Sequence, residues 1–535
     1  MNTTPPTIGR YVAQLLAANG IDTVFGIPGV HTLELYRGLA ASGLRHVLVR
    51  HEQAAGFAAD GYARVSGRAA AAFVISGPGV TNILTAAAQA YSDSVPMLIV
   101  ASTPVRASLG KKWGVLHELA EQRALVAAVL DTAHTADSAE DVRDQLRVAF
   151  ATLHVGRARP AYLQIPLDLL AETTTLGVER FDDASLLPHP QPGQIDRARA
   201  LLAGARRPLV IAGGGARAAA PQLRQLIEAL DGFLVTSAAG KGLLPEAHPA
   251  NLGASLPYPE TQELIAKADV VLAVGTELSE TDVYTTTRLP MAGQLIRIDV
   301  DAAKLSDQYA AAVRIWGDAA TALAAIMQGV KPRSGWRSAS GNSMAHRARI
   351  EERFDEHTRT RMRALHALRA ALPADAVVFS DMTQIAYLGN YAFAADMPGT
   401  WFHPSGYGTL GYALPAAIGA KIAAPERAIV TLAGDFGVQF TLHELMTAVE
   451  IGHSLPIVVW NNAALGQIRD DMIAAGIEPI AVVAQNPDFP ALAAACGASG
   501  VQVATPAALT QAVHAALRRR GPTLIEVLAS EFRAG

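Results

Sequence analysis

Asp435 and Asn462 each stand at the end of a short apolar, β-rich run: Ala428 to Ala433 leads into Gly434-Asp435, and Leu455 to Trp460 leads into Asn461-Asn462. A carboxylate and an amide oxygen delivered to one rim can share a hard cation. Magnesium takes few protein oxygens and completes its octahedron with water and phosphate oxygens, so this pair points to a bound diphosphate. Far upstream, Glu52 opens the small-residue stretch HEQAAGFAADGYAR, and Ser76-Gly77-Pro78-Gly79-Val80-Thr81-Asn82 reads as a strand-to-helix turn. Taken singly, each has a plain structural account as a turn, a cap or an acid on a helix dipole.

Positioning such groups calls for α/β architecture. The two apolar runs read as parallel strands. Between them Thr441 is placed to cap a helix whose apolar residues Leu442, Leu445, Met446 and Val449 recur at helical spacing, which makes a βαβ unit. Ligands of such units sit beyond the carboxyl ends of the strands. From Ile8 to about Leu170, strand-like runs at Thr23 to Gly26, Ala70 to Ser76, Met97 to Ala101 and Ala161 to Ile165 alternate with helical stretches. A second block carries Leu209 to Ala212, Val270 to Val274 and Leu295 to Val300. The expected fold class is α/β, as three Rossmann-like domains with mostly parallel sheets at 1–170, 195–330 and 347–535. Linkers are expected at 171–194, which bears Pro, Thr and Asp without periodicity, and at 331–346, which bears Gly and Ser. At 535 residues the chain is too long for one core.

Half of the residues are hydrophobic, 17% are charged and the formal net charge is -4. No basic block tracks a nucleic-acid backbone and no apolar run reaches the length of a membrane span, so neither is expected as a partner. The amino terminus lacks the basic-then-apolar order of a secretory signal. A lone cysteine, Cys496, leaves no intrachain disulfide and no cysteine-cluster metal site. A reducing cytoplasm is the expected location, and Cys496 reads as a core residue.

Taken together, HE followed by GYAR, SGPGVTN, YGTLGYALPAAIGA, Gly-Asp with a downstream Asn-Asn, and GKGLLPEAHPANLG resemble the thiamine diphosphate-dependent enzymes of the acetolactate synthase, benzoylformate decarboxylase and pyruvate oxidase group. The resemblance covers nearly the whole chain. It implies pyrimidine-binding, middle and diphosphate-binding domains in that order. It also implies an active site between the first domain of one subunit and the third of another, hence a homo-oligomer, at least a dimer and usually a tetramer. Thiamine diphosphate and Mg2+ are the implied cofactors, with the metal on Asp435, Asn462 and the carbonyl of Ala464. Glu52 would bond the aminopyrimidine ring and drive it to the imino tautomer that deprotonates thiazolium C2. Leu410, in Gly408-Thr409-Leu410-Gly411, matches the wedge that bends the cofactor. Ser76, Gly79, Asn82, Thr383, Gln384, Gly408, Gly434, Phe436 and Gly437 complete the implied cofactor contacts.

One departure is Gly434-Asp435-Phe436, where the family has Gly-Asp-Gly. Phe436 is strained if that position needs a positive φ and tolerable if it supplies only an N–H. A flavin or nucleotide in the middle domain stays open, because Gly213-Gly214-Gly215 follows a strand but lacks the GxGxxG spacing.

The substrate implied is a 2-oxo acid. Ser76 stands where relatives acting on aromatic oxo acids carry a histidine, and the middle-domain loop offers Glu280 and Asp282. Gln467, a candidate catalytic residue, and Asp471, a candidate substrate contact, follow the metal rim on a helix that lines the pocket in relatives. Acids around a pocket suit a cationic tail. FGIPGVHTLELYRGLA, LHEL, GTELSETDVY and IRDDMIAAGIEPI look closest to the 5-guanidino-2-oxopentanoate decarboxylase branch, which forms 4-guanidinobutanal. His117 occupies the place of a glutamine near C2 in acetolactate synthases, a position from which it could protonate the carbon that loses carbon dioxide, with His31 a second candidate. Two other readings remain at this stage: an acetolactate synthase-like carboligase, and a catalytically silent cofactor-binding regulatory subunit, for which Phe436 is the only support.

Overall fold

Strands with both faces covered read as continuous apolar runs, and these runs organise the molecule. The computed structural model describes residues 5–181, 187–483 and 485–533. Its strands fall into three sheets in which every ladder pairing is parallel. The first contains β1 (Thr23–Gly26), β2 (Arg45–Leu48), β3 (Ala70–Val74), β4 (Met97–Thr103), β5 (Thr132–Thr135) and β6 (Ala161–Pro166), in the order β2-β1-β3-β4-β6-β5. The second contains β7 (Pro208–Ala212), β8 (Phe233–Thr236), β9 (Val270–Val274), β10 (Gln294–Asp299) and β11 (Val313–Trp316), in the order β11-β10-β9-β7-β8. The third contains β12 (Val377–Ser380), β13 (Trp401–Phe402), β14 (Ile429–Gly434), β15 (Leu455–Asn461), β16 (Ser499–Val503) and β17 (Pro522–Leu528), in the order β13-β12-β14-β15-β17-β16. The α/β class is as the sequence implies.

The first and third sheets are joined by one crossing of two helices. Glu52–Ser66 starts at His51, whose Nδ1 accepts the Gln53 N–H at 3.1 Å, and stops at Gly67 in the left-handed conformation. Its buried face is mostly alanine and glycine, and it lies on Ala413–Ala423, which is equally small-sided. A Cβ at Gly61 would overlap the Ala416 carbonyl oxygen, and one at Gly419 would overlap that of Ala58. Backbone therefore touches backbone there. The surrounding core is continuous across both domains and holds Phe57, Tyr62, Phe379, Tyr412 and Leu445 together. Cys496 is half-buried at its margin.

Both expected linkers carry more structure than their composition suggests. The first lies against the amino-terminal domain, where Tyr11 Oη donates to the Gly177 carbonyl at 3.1 Å and Asn19 Nδ2 to that of Glu179 at 2.9 Å; residues 182–186 fall outside the described set. The second forms Trp336–Ser340 and the start of Ser343–Glu351. Asp231 accepts the Gly335 and Ser338 N–H groups at 2.6 and 3.2 Å, and Trp336 meets Phe233 edge-on at 5.4 Å. This buried acid and aromatic pair fix a segment whose polar composition resembles a tether.

The crossover between β14 and β15 also differs from the expectation. It is split into Asp435–Phe440 and Glu444–Ile451, and His443, not Thr441, precedes the second helix. The Thr441 hydroxyl instead donates to the Gly411 carbonyl at 2.8 Å. With the helix starting later, Leu445 is buried while Met446 is 40% exposed.

Substituting Gly61 or Gly419 by valine should disrupt the shared core by more than ordinary overpacking, which costs about 1–3 kcal/mol. The check is the thermal midpoint, which should fall by several degrees or be lost with solubility. Glycine-to-alanine at exposed Gly204, where a Cβ meets nothing within 4 Å, is the control and should leave the midpoint in place.

Candidate active site

The carboxyl ends of β1 to β4 bring one set of the candidate residues together. Glu52 is buried, and its Oε2 accepts a hydrogen bond from Asn82 Nδ2 at 2.9 Å. Asn82 lies on Pro78–Ser92, the helix that follows β3, so SGPGVTN serves as the turn it was read to be. Ser76 is fully buried and its Oγ bonds to His31 Nδ1. The His31 and His117 rings meet edge-to-face with centroids 4.9 Å apart. Burial, and to a smaller extent His117, push the His31 imidazole below its ordinary pKa, so it is neutral at pH 7.

His117 combines two unusual features. It holds φ +61°, uncommon for a residue with a side chain, and its Nδ1 is buried without a hydrogen-bond partner. The His117 backbone packs so closely on Gly77 that a Cβ there would lie 2.7 Å from the His117 carbonyl oxygen. Gln122, not apparent from the sequence, locks this turn: its Oε1 accepts the Gly77 N–H at 2.9 Å, while its Nε2 donates to Ser102 O and Gln164 Oε1, both at 3.0 Å.

The third sheet forms the other half. Asp435, at the end of β14, is 2% exposed. Its Oδ2 accepts from Asn486 Nδ2 at 2.7 Å, and the same amide nitrogen donates to Asn461 Oδ1 at 2.9 Å. The Asp435 carboxylate also accepts the Ala463 backbone N–H, which places it against the Asn462–Ala464 turn. Ala463 has φ +51°, and the Ala464 N–H bonds Asn462 Oδ1 at 3.3 Å. Burial raises the Asp435 carboxyl above its ordinary range.

Three helix starts meet at this rim. Thr383, Gly434 and Leu465 precede Gln384–Ala392, Asp435–Phe440 and Gly466–Ala474, and none of the three accepts a capping hydrogen bond on its side chain. A Cβ at Gly434 would sit 2.8 Å from Thr383 Oγ1, and one at Gly466 2.6 Å from Gln384 Oε1, so the three turns are in contact. Uncapped N–H groups around oxygen ligands suit a diphosphate and its cation. Among the described residues no cluster of three or more His, Cys, Asp or Glu could hold a metal. The available set is one carboxylate, one amide oxygen and a carbonyl, which fits magnesium that keeps other ligands. Phe436 lies inside Asp435–Phe440 and is absent from the residues with positive φ, so it is unstrained, and its N–H bonds the Asp435 carboxylate.

Leu410 sits between Gly408 (φ +73°) and Gly411 (φ +80°), a left-handed pair that turns the loop around it. The loop is held from below by Asp381, missed in the sequence: its carboxylate accepts the Gly411 N–H at 3.0 Å and the Met382 N–H at 2.8 Å, and burial raises it to about 6. From the side it is held by the first domain, through Gln89 Oε1 to Thr409 Oγ1 at 3.0 Å and Asp93 Oδ1 to Gly406 N at 2.9 Å.

The remaining candidates are more scattered. Gln467 Nε2 donates to Asp471 Oδ1 at 2.9 Å and both are exposed. Glu280 is exposed on the middle domain, whereas Asp282 lines a cavity of about 1220 Å3 between the domains. Gly213-Gly214-Gly215 borders the same cavity in a tight turn packed on Gly275. No hydrogen bond or ion pair among the described residues joins Glu52 to the Asp435 rim.

Three successive family models match the chain: the N-terminal binding domain of thiamine pyrophosphate enzymes at residues 6–125, their central domain at 195–326 and their C-terminal binding domain at 381–527. The chain belongs to the thiamine pyrophosphate enzyme family. It is 48% identical to the probable 2-ketoarginine decarboxylase AruI of Pseudomonas aeruginosa, over 97% of this chain and 94% of that protein. It is 31% identical to the acetolactate synthase isozyme 3 large subunit of Escherichia coli, over 95% and 92% of the two chains, and 29% identical to the acetolactate synthase large subunit of Haemophilus influenzae, over 92% and 89%.

Asp435→Ala should weaken thiamine diphosphate binding in the presence of magnesium at least about tenfold, as loss of a charged ligand does. Titration calorimetry checks it; affinity equal to the parent would remove Asp435 from the metal rim.

Proposed function

We propose that the protein is a thiamine diphosphate- and magnesium-dependent decarboxylase that converts 5-guanidino-2-oxopentanoate to 4-guanidinobutanal and carbon dioxide. The observation that carries this reading is the near full-length similarity to a protein named for that class of substrate, together with retention of Glu52, Asp435 and Asn462. Phe436, the one feature favouring a silent subunit, carries no strain that would oppose cofactor binding.

When bound, the cofactor supplies a thiazolium that accepts the electron pair left by departing carbon dioxide. The chain's own residues hold, orient and exchange protons. Asp435, Asn462 and the Ala464 carbonyl hold the cation, and the uncapped turns at Thr383, Gly434 and Leu465 hold the diphosphate. Leu410 shapes the cofactor. Asn82 engages Glu52 Oε2, leaving Oε1 to carry a proton to and from the aminopyrimidine. His117, with its unpartnered Nδ1, is the proton donor to product carbon and takes its proton up again from solvent, while the neutral His31–Ser76 pair packs against its ring.

The two half-sites complete one another between subunits, so the working unit is at least a dimer, with a tetramer as the expected assembly. Apolar side chains are exposed beside both: Val30, Leu33, Trp113 and Leu116 near the first rim, and Phe440, Ile468, Ile473 and Ile477 near the second. Patches of this kind mark association surfaces.

Purified protein with thiamine diphosphate and magnesium should turn over the guanidino oxo acid with a kcat/KM at least about tenfold above pyruvate or benzoylformate, the effect of one charge-assisted hydrogen bond. Greater turnover of pyruvate, with acetoin-type products, would identify a carboligase instead. Glu52→Gln should keep cofactor affinity within about threefold of the parent while lowering kcat about 100-fold or more, as removal of a general acid-base does.

A further inference from the structure

The loop that carries His117 has few polar ties to its domain. Residues 109–121 form turns and bends without helix or strand, and among the described residues every hydrogen bond they make ends within residues 106–125. The loop reaches the sheet at Gly77, in the turn after β3, and it holds that residue at two points. The His117 backbone lies on the Gly77 Cα, where a Cβ would come within 2.7 Å of the His117 carbonyl oxygen and 3.0 Å of the His117 Cβ. At the loop's end, Gln122 Oε1 accepts the Gly77 N–H at 2.9 Å. His117 itself keeps φ +61°, a conformation that persists only where the surroundings over-determine it.

The Gln122 amide has one orientation open to it. It is 5% exposed, and its Nε2 donates to the Ser102 carbonyl and to Gln164 Oε1, both at 3.0 Å. Gln164 is fixed in turn, because its Nε2 donates to Thr135 Oγ1 at 2.9 Å and its Oε1 also accepts the Tyr162 hydroxyl at 2.8 Å. A flipped Gln122 amide would set its oxygen against two acceptors and its NH2 against an N–H, so Oε1 faces Gly77. One residue earlier, the Ser76 N–H donates to Ser102 Oγ at 3.2 Å. Both amides of Ser76-Gly77 are therefore held. Ser76 carries the hydroxyl bonded to His31 Nδ1 and Gly77 carries the His117 backbone, so this dipeptide sets the 4.9 Å separation of the two rings. Gln122 commits its oxygen and both amide hydrogens to this framework.

We infer that Gln122 is a positioning residue for His117, and that its hold on Gly77 decides whether the product carbon is closed by a proton or by a second carbonyl compound. The inference rests on the reading of His117 as the proton donor. In the decarboxylation a proton passes from His117 to the carbon that has lost carbon dioxide, a C–H bond forms, the aldehyde leaves and His117 is reprotonated from solvent. With His117 displaced, the electron pair on that carbon bonds instead to the carbonyl carbon of a second oxo acid or aldehyde. The new alkoxide takes a proton from solvent and an acyloin leaves. Removing the Gln122 oxygen leaves the buried Gly77 N–H unpaired and frees the loop from one of its two attachments. The strained His117 backbone then relaxes away from the position that Gly77 imposes.

The experiment gives the holoenzyme whichever 2-oxo acid it turns over fastest and measures the ratio of acyloin to aldehyde formed, in the parent and in Gln122→Met, Gln122→Asn, Gln122→Glu, His117→Ala and the His117→Ala/Gln122→Met double variant. The ratio should rise at least about fivefold in Gln122→Met, the effect of one buried N–H left unpaired, and Gln122→Glu, which keeps an oxygen for Gly77, should recover part of it. In the His117→Ala background Gln122→Met should add nothing further, because the two residues act as one unit. A raised ratio in His117→Ala with the parent's ratio in Gln122→Met overturns the positioning role and leaves His117 as the donor. The parent's ratio in His117→Ala overturns the donor reading and the inference with it. An equal rise on adding Gln122→Met to the parent and to His117→Ala shows general loosening and also overturns the inference. Where Gln122→Met does not fold, as judged by its thermal midpoint, Gln122→Asn, one methylene too short to span Ser102 and Gly77, is read in its place.

Discussion

The contact of two glycine-bearing helices, Glu52–Ser66 and Ala413–Ala423, is the constraint from which the active-site geometry follows. Gly61 lies on the Ala416 backbone and Gly419 on that of Ala58, so the axes come closer than any pair of side chains would permit. Such an approach gains dispersion contacts along the whole crossing and leaves no slack for sliding. The amino end of the first helix carries Glu52, and the chain just before the second carries Leu410. One packing event therefore fixes, within one chain, the helix start that carries Glu52 and the loop that carries Leu410.

Polar contacts at the two ends of the crossing convert this into positional precision. Glu444, fully buried in the third domain, accepts the N–H groups of Arg50 and His51 at 2.8 and 3.1 Å, immediately before Glu52. In the opposite direction Asp60 accepts the Tyr412 hydroxyl at 2.5 Å, and Arg64 bridges Asp60 and Asp93 at 2.6 and 2.7 Å. Asp93 and Gln89 then reach the loop around Leu410. Each domain thus braces the functional turn of the other. Buried charges are tolerable in such a place because Asp60, Arg64 and Asp93 are paired and Glu444 is hydrogen-bonded; removing a single partner would strand the rest.

How much of this the sequence discloses depends on the range of the interaction. Strands buried on both faces, such as β4, β9 and β14, are continuous apolar runs and were found within a residue or two. Short or edge strands were not: β5 is half-exposed throughout and β16 is largely exposed, so neither has an apolar run to recognise. Thr441 shows a local rule losing to a distant partner. A threonine before a helical pattern reads as a cap, yet its hydroxyl is claimed by the Gly411 carbonyl, thirty residues away. The same reason hides Gln122, Asp381 and Glu444, since each acts on a segment that only folding brings near. Phe436 shows the opposite case: the motif departs from its pattern, but the backbone there is helical and asks nothing special of the side chain.

The chemistry of the two rims is also divided by charge. On the first rim Ser76 and Gln122 are uncharged hydrogen-bonding groups in a buried setting, and burial holds the His31 imidazole below its ordinary pKa. On the second, oxygens of Asp435, Asn462 and Ala464 face three helix starts, a field suited to a cation bound to a dianionic group. A 2-oxo acid placed between them brings a carboxylate that must lose its charge as carbon dioxide. Uncharged Ser76 and Gln122 beside that carboxylate avoid the ion pair that a lysine or arginine in their place would form, which would stabilise the starting state more than the transition state. Strong charge recognition then has to lie away from the reacting carbon.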